Sequence, residues 1–271
     1  MKLPEIIFID LDGTSLDKKE NKKYFFSQKN VEMIKKINQI IPIIVSTGRG
    51  NNKQTWEILN QINANSFIAW NGAQIIKNKQ IIYSFPIKNN TIEHFYQQVK
   101  FTKGIWILNS DFKKEIYSNN LFLRFFLKII GKKVKCFSKL NLEKDIYKII
   151  FWTLSKKRVL NYQKQWNNLF KNTINISLSG KKNNFLEITS LEASKGQAEK
   201  LFCLSEGINV KNAIHVGDSM NDASTKNIVG KLVAMQNASE LLKDLADEVI
   251  LYSYKNAGLA KYLKKFEKIA K

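Results

Sequence analysis

The chain begins with a continuous apolar run that stops on two aspartates, IIFIDLDGTSLD at 6–17. Consecutive apolar residues bounded by a DG turn signal predict a strand buried on both faces, as found inside parallel sheets. An unpaired ionised carboxylate at the end of such a strand costs several kcal/mol, so something close by must neutralise Asp10 and Asp12. Open parallel sheets bind ligands beyond the carboxyl ends of their strands, which is where these two aspartates fall.

Periodicity extends this strand into an architecture. Residues 31–40 carry apolar groups at helical spacing and IIPIIVSTG, 40–48, is a second buried strand, so a parallel βαβ unit is predicted. A helix around Trp56 and Leu59 and the strand SFIAWNG follow. Much later come FLEITS, the helix KGQAEKLFCLSEG, the strand AIHVGD and further alternation to LADEVIL. The pattern predicts an α/β fold with a Rossmann-like, doubly wound parallel-sheet core. With 271 residues and 44% apolar content, the chain can build such a core and a second module. That module is read at 86–184: a helix with Ile92, Phe95, Tyr96 and Val99 on one face, then GIWIL, an apolar helix over 121–130, IYKIIFWTL, a Trp166-bearing helix and INISLSG. It reads as an inserted α/β (α+β) cap domain between core segments 1–85 and 185–271, with hinges near 84–88 and 181–185. Without carboxylate or glycine motifs of its own, it is expected to cover a site rather than perform chemistry.

Composition excludes other classes. The net charge of +21 comes from lysines spread along the whole chain, a general bias and not a focused patch, so no specific nucleic-acid partner is expected. Cys136 and Cys203 have neither disulfide nor zinc spacing. The richest apolar stretch, FLRFFLKIIG, is interrupted by Arg124 and Lys128, so no membrane association is expected and the protein reads as soluble and cytoplasmic. His94 and His215 lack a ligand-spaced partner and read as structural; Trp70, Trp106 and Trp152 read as core.

The polar residues at predicted strand ends form an ordered set: Asp10 and Asp12; Ser46, Thr47, Gly48 and Arg49; Lys195 opening a helix; then Gly217, Asp218, Ser219, Asn221 and Asp222. Far apart in sequence, they are predicted to converge in space. The set resembles the haloacid dehalogenase superfamily, specifically its Cof-type sugar-phosphatase branch. DLDGT (10–14), STGR (46–49), Lys195 in ASKGQA and GDSMND (217–222) look like its four motifs in order, and NGA (71–73) sits where this branch has it.

The resemblance implies a Mg²⁺-dependent phosphatase of a small phosphorylated metabolite, a sugar phosphate or a phosphorylated cofactor such as FMN or pyridoxal phosphate. It implies Asp10 as nucleophile forming an aspartyl-phosphate, and Asp12 as acid and then base. Mg²⁺ would be held by the side chains of Asp10 and Asp218 and the backbone carbonyl of Asp12. Thr47, Lys195, Asn221 and the backbone amides of Leu11 and Gly48 would meet the phosphoryl group, with Asp222, Asn71 and Arg49 in support. The physical logic agrees, because a carboxylate can approach an anionic phosphoester only where cations offset the repulsion. Two alternatives share these residues: a phosphomutase on the same scaffold, and a polyanion- or nucleic-acid-binding protein that does not turn over substrate.

Overall fold

In the computed structural model, which describes residues 3–21, 23–141, 143–179 and 184–269, the apolar run forms the fully buried strand Ile6–Ile9. It lies inside an eight-stranded sheet ordered Glu248–Val249, Lys231–Ala234, Ala213–Gly217, Ile6–Ile9, Ile43–Ser46, Phe67–Ala69, Gln74–Lys77, Gln80–Ser84. Pairings are parallel from Glu248–Val249 through Phe67–Ala69, and the last two strands extend the sheet as an antiparallel hairpin. The chain builds outward on one side of Ile6–Ile9 through Ile43–Ser46, and later returns on the other side through Ala213–Gly217. The crevice at the carboxyl ends of these strands is therefore the topological switch point of a doubly wound sheet.

Local sequence sets the crossovers. Ser27, Asn52 and Ser194 cap the helices Gln28–Asn38, Lys53–Leu59 and Lys195–Ser205, each accepting a backbone N–H from the first turn. Buried Asn30 ties the first helix to its surroundings: Nδ2 donates to the Ser15 carbonyl at 2.9 Å and Oδ1 accepts the Ala260 amide at 3.0 Å. The loop after Ile6–Ile9 is thereby fastened to the C-terminal helix Gly258–Ile269. The exposed hairpin of Lys18–Glu20 and Lys23–Phe25, absent from the sequence reading, follows the aspartate loop.

The chain divides into two compact units, 1–84 with 194–271, and 85–193. The second holds a six-stranded sheet ordered Val134–Lys135, Ile116–Tyr117, Ile105–Leu108, Lys148–Trp152, Phe185–Ser190, Ile174–Ser179. The helices Asn89–Val99 and Lys156–Phe170 contribute Phe95, Val159, Trp166 and Phe170 to an aromatic core with Trp106 and Phe151 of the sheet. Leu121–Ile129 supplies Leu123 to a second cluster with Ile105, Ile107 and Ile150.

One assignment changes. The sequence reading places FLEITS in the core; instead Phe185–Ser190 pairs antiparallel with both Lys148–Trp152 and Ile174–Ser179. The chain therefore leaves the second unit between Ala193 and Ser194, directly before Lys195. Of the hinge segment read at 181–185, residues 181–183 lie outside the described residues.

Candidate active site

The aspartate loop is built by backbone geometry. The Asp10 amide donates to the Val216 carbonyl at 2.9 Å, extending the central pairing one residue beyond Ile9. The chain then coils: the Leu11 carbonyl accepts the amides of Ser15 and Leu16 at 3.0 Å each, and Ser15 Oγ donates to the Asp10 carbonyl at 2.6 Å. Gly13 has φ +85, and a Cβ there would lie 2.2 Å from Asp218 Oδ2. Glycine at 13 thus serves both the turn and the close approach of the fourth motif.

Lys195, the first residue of its helix, is fully buried, and its Nζ donates to Asp10 Oδ1 at 2.5 Å and to Asp222 Oδ1 at 2.6 Å. Asp222 Oδ2 in turn accepts the amides of Asp218 and Ser219 at 3.0 and 2.9 Å. Gly217 permits this wrap, since a Cβ there would fall 2.2 Å from Asp222 Cγ. Thr14 Oγ1 donates to Asp218 Oδ1 at 3.4 Å.

Electrostatics separate the three acids. Burial pushes the Asp10 carboxyl up while Lys195 pulls it down, leaving it at about 6. Asp218 is pushed up to about 8, first by burial and then by the charges of Asp10 and Asp222. Burial also opposes ionisation of Asp222, but Lys195 and His215 outweigh it and hold that carboxyl below the usual carboxylate range. For Lys195 burial favours the neutral amine, and the two aspartates overcome it and raise the ammonium above its ordinary value.

Asp10, Asp218 and Asp222 offer carboxylate oxygens within 4.8 Å of one another. The Asp222 oxygens already accept four donors, so Asp10 and Asp218 are the pair left to face a cation. An acid pushed up to about 8 by burial and then by neighbouring carboxylates is one that a divalent ion would return to its ionised form. Hard oxygen donors of this kind suit Mg²⁺, so the donor set fits the metal implied by the sequence.

The remaining predicted residues gather around this centre. Arg49 grips Asp12 with two bonds, Nε to Oδ2 and Nη2 to Oδ1, both 2.6 Å. The Asp12 side chain is half exposed and stands outside the acidic cluster. Thr47 is buried, its carbonyl accepts the Asn71 amide at 2.9 Å and its Oγ1 accepts the Arg49 amide at 3.2 Å. Asn71, at φ +54, receives Asn221 Nδ2 on its Oδ1 at 2.9 Å, while Asn221 Oδ1 accepts Ser219 Oγ at 2.6 Å. A Cβ at Gly48 would lie 2.8 Å from Asn71 Oδ1. NGA and GDSMND are therefore joined through their asparagines.

Two residues outside the sequence-derived set belong to the same network. His215 is buried as a structural histidine would be, yet both ring nitrogens face carboxylates: Nδ1 lies 2.8 Å from Glu199 Oε1 and Nε2 2.9 Å from Asp222 Oδ1. A signal existed, because a histidine inside AIHVG, a strand predicted buried on both faces, requires polar partners. Glu199 lies four residues after Lys195, on the same face of one helix.

The chain is similar to known proteins along nearly its whole length. Residues 7–263 match the family model described as haloacid dehalogenase-like hydrolase. A protein of Buchnera aphidicola subsp. Baizongia pistaciae, named "Putative phosphatase", is 32% identical over 266 residues, spanning 96% of this chain and 97% of its own. A phosphoglycolate phosphatase of Methanobrevibacter smithii is 25% identical over 97% of this chain and 98% of its own. Among solved structures, a phosphatase of the same superfamily from Bacteroides thetaiotaomicron superposes with a TM-score of 0.79 at 22% identity, covering 98% of this chain and 96% of that one.

Proposed function

Because the chain belongs to the haloacid dehalogenase-like hydrolases and is a phosphatase, we propose that it hydrolyses small phosphorylated metabolites through an aspartyl-phosphate on Asp10, with Mg²⁺ as cofactor. The observation that carries this reading is the ammonium of Lys195 between Asp10 and Asp222, beside Asp218, at the carboxyl ends of the two central strands. A buried nucleophilic carboxylate can meet a phosphate only where fixed positive charge offsets the repulsion.

Asp10 Oδ attacks phosphorus, forming the acyl-phosphate bond as the ester P–O bond breaks. Asp12 gives its proton to the departing alkoxide, then takes a proton from the water that attacks phosphorus, which frees Asp10 and inorganic phosphate. Lys195 stabilises the charge that spreads over the equatorial oxygens, and Thr47, Asn221 and the amides of Leu11 and Gly48 orient the phosphoryl group. Asp10, Asp218 and the Asp12 carbonyl would hold Mg²⁺, which supplies further positive charge to the transferring group. Arg49 holds Asp12 by both oxygens in the resting site and has to release one of them for Asp12 to carry its proton, while Asp222 fixes Lys195.

Sugar phosphates are the substrate class favoured by the resemblance, and one fold neighbour at 19% identity and TM-score 0.75 is itself described as a subclass IIB sugar phosphatase. A phosphorylated cofactor such as FMN or pyridoxal phosphate is the second class to include. The test is phosphate release from a panel of both, with Mg²⁺ and then with chelator. Turnover of at least one ester that stops in chelator and returns with Mg²⁺ is expected. Isomerised sugar phosphate without free phosphate, or full activity in chelator, overturns the reading.

A further inference from the structure

The strand Ala213–Gly217 is apolar except for His215, and the helix facing it places Glu199 one turn beyond Lys195. Both side chains are fully buried. A core of this kind would pack as well with two aliphatic residues, and a buried ion pair of similar volume is often no more stable than its hydrophobic replacement. Here the arrangement is costly in a visible way: Glu199 Oε2 has no hydrogen-bond partner among the described residues.

The geometry says what the pair does. Ionised carboxylates only accept, so a ring with Glu199 on Nδ1 and Asp222 on Nε2 donates from both nitrogens and carries a positive charge. Burial opposes that charge and the two carboxylates outweigh it, holding the imidazolium up to about 9. Nε2 and Lys195 Nζ converge on one atom, Asp222 Oδ1, at 2.9 and 2.6 Å. Without the ring, Asp222 would have the lysine as its sole side-chain cation and would draw it away from Asp10. With the ring, the charge of Asp222 is shared, and the ammonium stays 2.5 Å from Asp10 Oδ1.

We propose that Glu199 and His215 are positioning residues for phosphoryl transfer: Glu199 keeps His215 doubly protonated, and His215 shares Asp222 so that Lys195 is directed at Asp10 and the incoming phosphoryl group. The proposal rests on the role given above to Lys195. It goes beyond the four motifs, none of which contains either residue.

The test is a double-mutant cycle with p-nitrophenyl phosphate. The apolar pair Glu199→Leu/His215→Val is expected to fold, and to lower kcat by about 10–100-fold with a smaller change in KM, as loss of an orienting partner does. In a Lys195→Met background the same two replacements should change kcat by less than about threefold, because the residue they act through is gone. An undiminished kcat for the apolar pair, or the same fold-loss in both backgrounds, overturns the proposal. Glu199→Gln provides the same cycle if the apolar pair does not fold. A readout independent of turnover is also at hand, since the chain has only two histidines. In ¹⁵N-histidine-labelled protein at pH 7.5, His215 should show two protonated ring nitrogens, and a neutral ring with one bare nitrogen contradicts the charge sharing. Absence of phosphatase activity in the unmodified protein would instead count against the proposed function and leave the nitrogen spectrum as the judge of the positioning pair.

Discussion

Replacing Lys195 by methionine removes the buried cation while keeping an unbranched side chain of similar length. In the metal-free protein the consequence can be worked from Asp10. Its carboxyl is raised from 3.8 to about 6 by burial, against the pull of Lys195. A group raised in this way makes the fold lose stability as pH climbs from 3.8 to about 6, where native Asp10 ionises and the loss stops. Without the lysine Asp10 stays protonated to higher pH, so the loss continues at about 1.4 kcal/mol per pH unit. The gap between wild type and Lys195→Met should therefore widen by up to about 2 kcal/mol from pH 6 to pH 8, on top of a pH-independent share from Asp222, which keeps His215 and two backbone amides but loses its lysine. Urea unfolding in chelator at pH 6, 7 and 8 measures it directly. A gap that stays constant across that range would refute the claim that Lys195 is the counter-ion of Asp10.

Other outcomes follow from the same contacts. Asp10→Asn should abolish phosphate release with an unchanged circular dichroism spectrum, because an amide is nearly isosteric but cannot attack phosphorus. Asp12→Asn should slow alkyl phosphates far more than p-nitrophenyl phosphate, whose leaving group needs little protonation; an equal loss on both would remove Asp12 from the acid role. Gly13→Ala sets a Cβ 2.2 Å from Asp218 Oδ2 at φ +85, so it should destabilise the fold by more than about 1 kcal/mol and weaken Mg²⁺ binding in calorimetry. Exchange of residues 85–193 for the matching unit of a related phosphatase should carry the ranking of metabolite kcat/KM with it, while p-nitrophenyl phosphate turnover changes little.

What the sequence could reveal was local. Asp10, Lys195, Asp218 and Asp222 were legible because each closes a strand or opens a helix within a short motif, and the sheet order brings those ends together. Which sheet FLEITS joins was not legible: a short run of apolar residues reads alike in either unit, and its partners, Lys148–Trp152 and Ile174–Ser179, are fixed by tertiary pairing. The hairpin Lys18–Glu20 with Lys23–Phe25 is too short and too polar for a period-2 pattern. The bidentate grip of Arg49 on Asp12 and the junction of Asn71 with Asn221 span 37 and 150 positions, and no spacing rule reaches that far. His215 has no ligand-spaced partner along the chain, because its partners sit on a neighbouring helix and in the turn after its own strand.

The central claim is that phosphate passes through Asp10, and stereochemistry at phosphorus tests it most directly. Each in-line displacement inverts configuration, so transfer to Asp10 followed by transfer to water should proceed with net retention at phosphorus. A phosphorothioate ester made chiral with ¹⁶O and ¹⁸O, hydrolysed in ¹⁷O-labelled water, yields a chiral thiophosphate whose configuration is read by ³¹P NMR after stereospecific derivatisation. Retention is the outcome predicted here; net inversion would mean that water attacks the substrate directly, and the covalent role assigned to Asp10 would be wrong.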